Sequence, residues 1–193
     1  ATLYDQREEL SNIARRVMNE VHIFSRLTET EMTSISNKSI KLFTLSAIKS
    51  ANKALLNKGK NDHISEDEIQ SAVDYWKYVV KNMNDWNLAS QRKVNSWELR
   101  ESYIHAHGVL LHALGLLGTQ IINDKSKWIV LDKLTEIDWS RNSKLWKGRA
   151  VVNGRITKSI TNVKLTTSQI KKQLGLKLTK DELEREKEFK ANA

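Results

Sequence analysis

Apolar residues recur every three or four positions through most of this chain, the spacing that places them on one face of an α-helix. The pattern predicts helices over residues 5–24, 36–56 and 65–83, and Ser65 with Glu68 has the spacing of a capping box. Ser96 is placed to cap a long helix that runs into a strongly apolar stretch, and a shorter helix is expected near residues 125–135. The fold class is therefore expected to be mainly α, a helical bundle.

The stretch YIHAHGVLLHALGLLG, residues 103–118, repeats small residues at a spacing of seven. Ala106 and Ala113 form one such pair, and Gly108 and Gly115 form the other. Glycine inside a helix costs roughly 1 kcal/mol relative to alanine, so a repeated glycine indicates that another helix crosses very closely. The stretch therefore predicts a central Gly/Ala-rich packing helix.

The histidines of the same stretch raise the alternative of a metal site. On one continuous helix His105 and His112 share a face but lie two turns apart, about 10.5 Å, while His107 points nearly the opposite way. Only Glu101 and His105 have the i, i+4 spacing of helical metal ligands, and such a pair is more often an ion pair on the helix surface. We expect these histidines to serve packing and hydrogen bonding, with no metal and no cofactor.

The pattern changes after residue 138. Asn153-Gly154 lies between two short β-branched runs, which predicts a short β-hairpin with Val151 opposite Ile156 and Arg149 opposite Lys158; a plain loop between helices is the alternative. A short helix ending at Gly175 and a terminal helix that carries four glutamates follow, and we expect the terminal helix to lie in solvent. The predicted organisation is a helical bundle over residues 1–138 and a basic segment over residues 139–193, packed together as one compact unit.

The positive charge of the chain is concentrated in this second part. The formal net charge is +9, and residues 139–180 contain eleven basic side chains and no carboxylate, whereas the other 151 residues hold 21 basic and 23 acidic ones. Such segregation indicates an anionic partner, and the many Ser, Thr and Asn side chains in the segment favour nucleic acid over a membrane surface. The candidate DNA-binding residues are Arg141, Asn142, Lys144, Lys147, Arg149, Arg155, Lys158, Lys164, Lys171 and Lys172.

Several classes of protein are disfavoured by composition. The chain has no cysteine, which excludes disulfides and thiolate metal sites and fits a reducing, cytoplasmic location. The longest apolar stretch is interrupted by histidines and a glutamine, so we expect no membrane span. No phosphate-binding glycine loop, nucleophile elbow or zinc-ligand spacing is present, and the chain is not expected to be an enzyme.

Three long segments of the chain resemble the C-terminal part of the DndB family. They are LTETEMTSISNKSIKLFTLSAI, LRESYIHAHGVLLHALGLLG and IDWSRNSKLWKGRAVVNGRITKSITNVKLTTSQIKKQLGL. Family members also carry an N-terminal half with an Asp-Gly-Gln-His-Arg motif, which this sequence lacks, so it resembles a fragment of such a protein.

The resemblance implies a transcriptional regulator that represses a bacterial DNA phosphorothioation gene cluster by binding promoter DNA. The partners it implies are double-stranded DNA and other proteins of the Dnd system, and a homo-oligomer stays open. The alternative function is a helical interaction module that docks onto the DNA-modification machinery, with its basic segment facing an acidic protein.

Overall fold

The computed structural model of the protein describes residues 3–58 and 62–193, with side chains from residue 9 onward. The fold is mainly helical with two small two-stranded sheets, which confirms the predicted fold class. The α-helices are α1 (Leu3–Glu20), α2 (His22–Leu27), α3 (Leu45–Leu56), α4 (Glu66–Lys81), α5 (Asn84–Ser90), α6 (Ser96–Ser102), α7 (Gly108–Gly118), α8 (Ile160–Leu174) and α9 (Lys180–Ala191). The strands are β1 (Thr28–Glu29), β2 (Phe43–Thr44), β3 (Val151–Val152) and β4 (Arg155–Ile156), and 3-10 helices span Ile104–Ala106 and Lys125–Glu136.

Helix α7 is the central packing element that the glycines predict. It is buried along most of its length and packs against α3 on one side and α8 on another. A Cβ atom at Gly108 would lie 3.0 Å from the Cβ atom of Ala47, and one at Gly115 would collide with the backbone carbonyl of Ala51. The close helix crossing is therefore confirmed, and its partner is α3.

The prediction of one long helix from Ser96 through this stretch is wrong, because the chain is extended at Tyr103 and at His107. The backbone near Tyr103 bonds instead to the segment that follows residue 138: the Ile104 amide donates to Trp139 (2.9 Å), and the Arg141 amide donates to Ser102 (2.9 Å). These bonds between distant segments replace helical ones. His105 and His112 consequently do not lie on one continuous helix.

The helix predicted over residues 36–56 begins only at Leu45, capped by Thr44. The preceding residues form a loop, and Ile40 is 48% exposed rather than buried. This loop is held by Arg100, whose guanidinium donates to the backbone carbonyls of Asn37 and Ser39 (3.0 Å each) and also of Ser36 and Lys41. The residues predicted to form the first turns of the helix are therefore held as a loop by a side chain about 60 positions away, which no local sequence pattern reveals.

The hairpin at Asn153-Gly154 is confirmed. Val151 pairs with Ile156, and both turn residues have positive φ (50° and 74°), as a tight type I′ turn requires. Thr157 continues the pairing by donating to Ala150 (3.0 Å). The buried apolar residues form one continuous core that reaches from α1 to α8, and no helix in the described part of the chain is long and apolar enough to cross a membrane.

Candidate nucleic-acid interface

Eight of the nine candidate cations of the basic segment fall into two groups. Five of the candidate residues are exposed and form no ion pair with any carboxylate that the structure describes; we call them the exposed cations. They follow the loop before the hairpin, the hairpin itself and the start of α8, and they are Lys144, Lys147, Arg155, Lys158 and Lys164. Asn142 is also exposed, and Arg141 is half-buried.

The second group consists of Arg149, Lys171 and Lys172, which form ion pairs with glutamates of α9; Arg149 and Lys171 are buried, and Lys172 lies at the surface. Arg149 is only 5% exposed, and its guanidinium forms two bonds to the carboxylate of Glu186 (2.6 and 2.9 Å) and one to the carbonyl of Leu165 (2.8 Å). Lys172 donates to the same Glu186 carboxylate (2.6 Å). Since its guanidinium is already bound by an internal carboxylate, Arg149 is not available to a DNA groove. Arg149 and Lys158, which were expected to lie opposite each other, are outside the paired residues of the two strands.

Lys171 pairs with a second glutamate of α9, Glu182 (2.6 Å). The expectation that α9 lies in solvent is therefore wrong for one of its faces: Glu182 and Glu186 are its two buried residues. Burial alone would raise the pKa of Glu186, but the hydrogen bonds and charges of Arg149 and Lys172 lower it to about 2. Phe189 completes the contact, with its ring 4.2 Å from the Arg149 guanidinium.

A groove of about 1350 Å³ opens beside the exposed cations. It lies between the loop before α3, the turn and helix around residues 92–101, the start of α7, and the chain at Arg141 and Lys158. Among its lining residues Glu101 is the only carboxylate, whereas six carry positive charge: Lys38, Arg92, Lys93, Arg100, Arg141 and Lys158. We call this feature the basic groove.

The inner wall of the basic groove is built around His107. Its Nε2 atom lies 2.7 Å from the carbonyl oxygen of Arg100, and a guanidinium nitrogen of Arg141 donates to the same carbonyl (2.8 Å). Burial, together with the positive charges of Arg141, Arg100 and Lys158, lowers the pKa of His107 to about 4. The imidazole is therefore neutral at neutral pH.

His105 serves packing and hydrogen bonding, as the sequence predicts. His105 is buried, its Nε2 atom lies 2.7 Å from a carboxylate oxygen of Asp85, and its ring stacks on Trp139. Glu101, the suggested i, i+4 partner, lies in the basic groove instead. Across the described residues, no three His, Asp or Glu side chains are grouped so that they could hold a metal ion.

Sequence reasoning found Arg141 and Lys158 but missed the other four cations of the basic groove. Lys38, Arg92, Lys93 and Arg100 come from the part of the chain whose charges nearly balance, so no local excess marks them. The fold places them around the same groove as Arg141 and Lys158 of the basic segment.

A model of the DndB family, described as DNA-sulfur modification-associated, matches residues 1–177. The chain belongs to the DndB family. The matched region contains the basic groove and the exposed cations, and it ends before α9. Membership in the DndB family connects the chain with DNA sulfur modification. No curated protein and no solved structure matched the chain.

Proposed function

We propose that this member of the DndB family is a DNA-binding regulator that represses the genes of a DNA sulfur-modification system. The observation that carries the proposal is the group of exposed cations, which have no carboxylate partner among the described residues. A protein surface with such unbalanced charge attracts polyanions, and lysine and arginine contacts to phosphates supply most of the non-specific affinity for DNA.

The surroundings of the exposed cations suit a phosphate backbone. Asn142, Asn153, Ser159 and Thr161 are exposed along the same stretch of chain, and such side chains donate to phosphate oxygens beside Lys and Arg. Arg155 is in the hairpin, directly after the turn, which makes it the candidate for a contact inside a groove of the duplex. Arg149, Lys171 and Lys172 are left out of the proposed DNA surface because glutamates of α9 already bind them.

The test is a mobility-shift titration with duplex DNA from upstream of the modification genes and with random duplex, at two salt concentrations. The unaltered chain should bind the upstream DNA more tightly, and its affinity should fall steeply with salt, with a slope near −0.9 for each phosphate neutralised. A Lys147→Glu, Arg155→Glu variant should bind both duplexes weaker, on the order of tenfold or more.

A matched control is Lys187→Glu, Lys190→Glu, which makes the same charge change on exposed positions of α9. It should bind DNA nearly as well as the unaltered chain. If both variants bind alike, the exposed cations are not the DNA surface. If the unaltered chain binds neither duplex, the proposal fails, and docking onto a protein of the modification machinery becomes the function to test.

A further inference from the structure

The basic groove contains positive charge that forms no ion pair among the described residues. Arg141, Arg100 and Lys158 are close enough to His107 to lower its pKa, and none of the three forms an ion pair with a described carboxylate. Arg100 is occupied by the carbonyls of the loop before α3. Arg141 and Lys158 therefore remain available to a ligand.

Arg141 also has an unsatisfied hydrogen-bond donor. One of its terminal nitrogens donates to the carbonyl of Arg100, but its Nε atom is buried and has no hydrogen-bond partner among the described residues. A buried donor without a partner is costly, by about 1–3 kcal/mol, and native proteins rarely keep one that no ligand or water satisfies. Because Arg141 also lines the basic groove, its guanidinium is placed to bind an oxyanion there.

The start of α7 adds to the positive potential at the same place. His107 provides no side-chain cap to this helix, whose first turn also has no acidic residue. Gly108 and Val109, the first two residues of α7, line the basic groove. The amide groups at a helix N-terminus favour an anion, so the helix and the two free cations act in the same direction.

The size and lining of the basic groove indicate what carries the anion. Its volume of about 1350 Å³ would leave a bare phosphate ion surrounded by empty space. The rest of the lining offers hydroxyl and amide groups, such as Thr44, Ser46 and Asn95, and apolar surface at Ile40 and Trp97. Polar groups of this kind suit a sugar, and the apolar surface suits a base.

We propose that the basic groove binds a nucleotide, with its phosphoryl group held by Arg141 and Lys158 at the start of α7. The phosphoryl group belongs either to a free nucleotide or to the backbone of a nucleic acid strand. In the second case the inference rests on the proposed function, because the basic groove then deepens the DNA site. In the first case it stands apart from that function.

Calorimetric titration of the protein tests the site with dAMP, dATP, deoxyadenosine and a short single-stranded oligonucleotide as probes. We expect at least one phosphate-bearing probe to bind and deoxyadenosine to bind about tenfold more weakly or not at all. Lys158→Gln should weaken that binding by about tenfold, because Lys158 is exposed and its loss leaves no internal bond unmade. Lys144→Gln, an exposed cation outside the basic groove, should leave it unchanged.

Arg141→Gln should weaken binding at least as much as Lys158→Gln, and its melting temperature shows whether the wall of the basic groove has survived. Binding of mononucleotides identifies a free nucleotide as the ligand, whereas binding of the oligonucleotide alone identifies a backbone phosphate. Equal affinity for deoxyadenosine and dAMP, equal behaviour of Lys158→Gln and Lys144→Gln, or no binding of any probe would overturn the inference.

The same variants separate this inference from the proposed function. Nucleotide binding that depends on Lys158, in a protein that shifts no duplex, would leave the inference standing and the DNA-binding proposal refuted. Duplex binding that depends on Lys147 and Arg155, with no phosphate-bearing probe bound in the basic groove, would support the DNA-binding proposal and refute the inference.

Discussion

The exposed cations and the cations held by α9 come from the same basic segment, but the fold gives them opposite environments. Lys147 and Arg155 are exposed with no described carboxylate beside them, whereas Arg149 and Lys171 are each 5% exposed and bound to a glutamate. The difference shows that a cluster of positive charge in a sequence contains two kinds of residue. One kind remains available to a partner, and the other holds a neighbouring element of the same chain.

Helix α9 is attached to the fold in an unusual way. Its two buried residues are glutamates, while Leu183 is 51% exposed. Replacing a buried ion pair with apolar side chains is often neutral, but removing one partner leaves a buried charge alone and is strongly destabilising. The ion pairs of α9 therefore fix where the helix lies, and they should be sensitive to the loss of either partner.

The largest effect is expected from Glu186→Gln. The substitution leaves Arg149 and Lys172 without their shared carboxylate, and Arg149 is buried, so the free energy of unfolding should fall by about 3–5 kcal/mol. Denaturant unfolding measures this change. Glu188→Gln is the matched control on the exposed side of α9 and should change stability by about 0.5 kcal/mol or less. Equal small losses in the two variants would show that the ion pairs do not hold α9.

Acidification should destabilise the protein in two separate ranges of pH. The folded pKa of His107, about 4, lies below its ordinary value of 6.5, so its contribution is complete above pH 6.5 and is lost as pH falls toward 4. The folded pKa of Glu186, about 2, lies below 4.5, so its contribution is complete above pH 4.5 and is lost toward pH 2.

Unfolding free energies measured between pH 6.5 and 4.5 isolate the His107 range. The unaltered chain should lose about 2 kcal/mol more than a His107→Gln variant over this range, because glutamine can bond to the Arg100 carbonyl but does not titrate. A parallel pH dependence of the two proteins would contradict the picture of a neutral imidazole among uncompensated cations.

Local signals in the sequence predicted much of the fold. The turn at Asn153-Gly154 requires two positive φ angles, and the close contact of Gly115 with the backbone of α3 leaves no room for a side chain. The residue types at these positions therefore indicate the local geometry. The capping box of Ser65 with Glu68 likewise forms as its spacing predicts. In each case the structure could be predicted from a few neighbouring residues or from the size of one side chain.

The candidate site was harder to predict, because its arrangement depends on residues far apart in the chain. Nothing near Arg149 indicates that its partner is Glu186, which follows 37 positions later. The ring of His107 likewise contacts the carbonyl of Arg100 and the guanidinium of Arg141, which follows 34 positions later. The basic groove needs cations from both parts of the chain, and only the fold brings them together.

The smallest expected effect belongs to single exposed cations. Lys147→Ala should weaken DNA binding similarly on all sequences and lower the salt slope by about one, as the loss of one phosphate contact requires. Arg155→Ala should instead cost about 1–3 kcal/mol on the specific site alone if Arg155 contacts a guanine in the major groove. Mobility shifts on specific and random duplex at several salt concentrations distinguish the two patterns. Identical behaviour of both variants would assign Arg155 to the phosphate backbone as well.

The central claim is that the exposed cations bind DNA and the α9-bound cations hold the fold, and one crossed measurement tests it. The DNA affinity and the melting temperature are measured for two double variants with the same charge change. The first combines Lys147→Gln with Arg155→Gln, and the second combines Arg149→Gln with Lys172→Gln. The first variant should lose DNA affinity and keep its melting temperature. The second should melt at a lower temperature, because the carboxylate of Glu186 is left without its partners, and below that temperature it should bind DNA like the unaltered chain. A loss of DNA affinity in the folded second variant, with none in the first, would contradict the account.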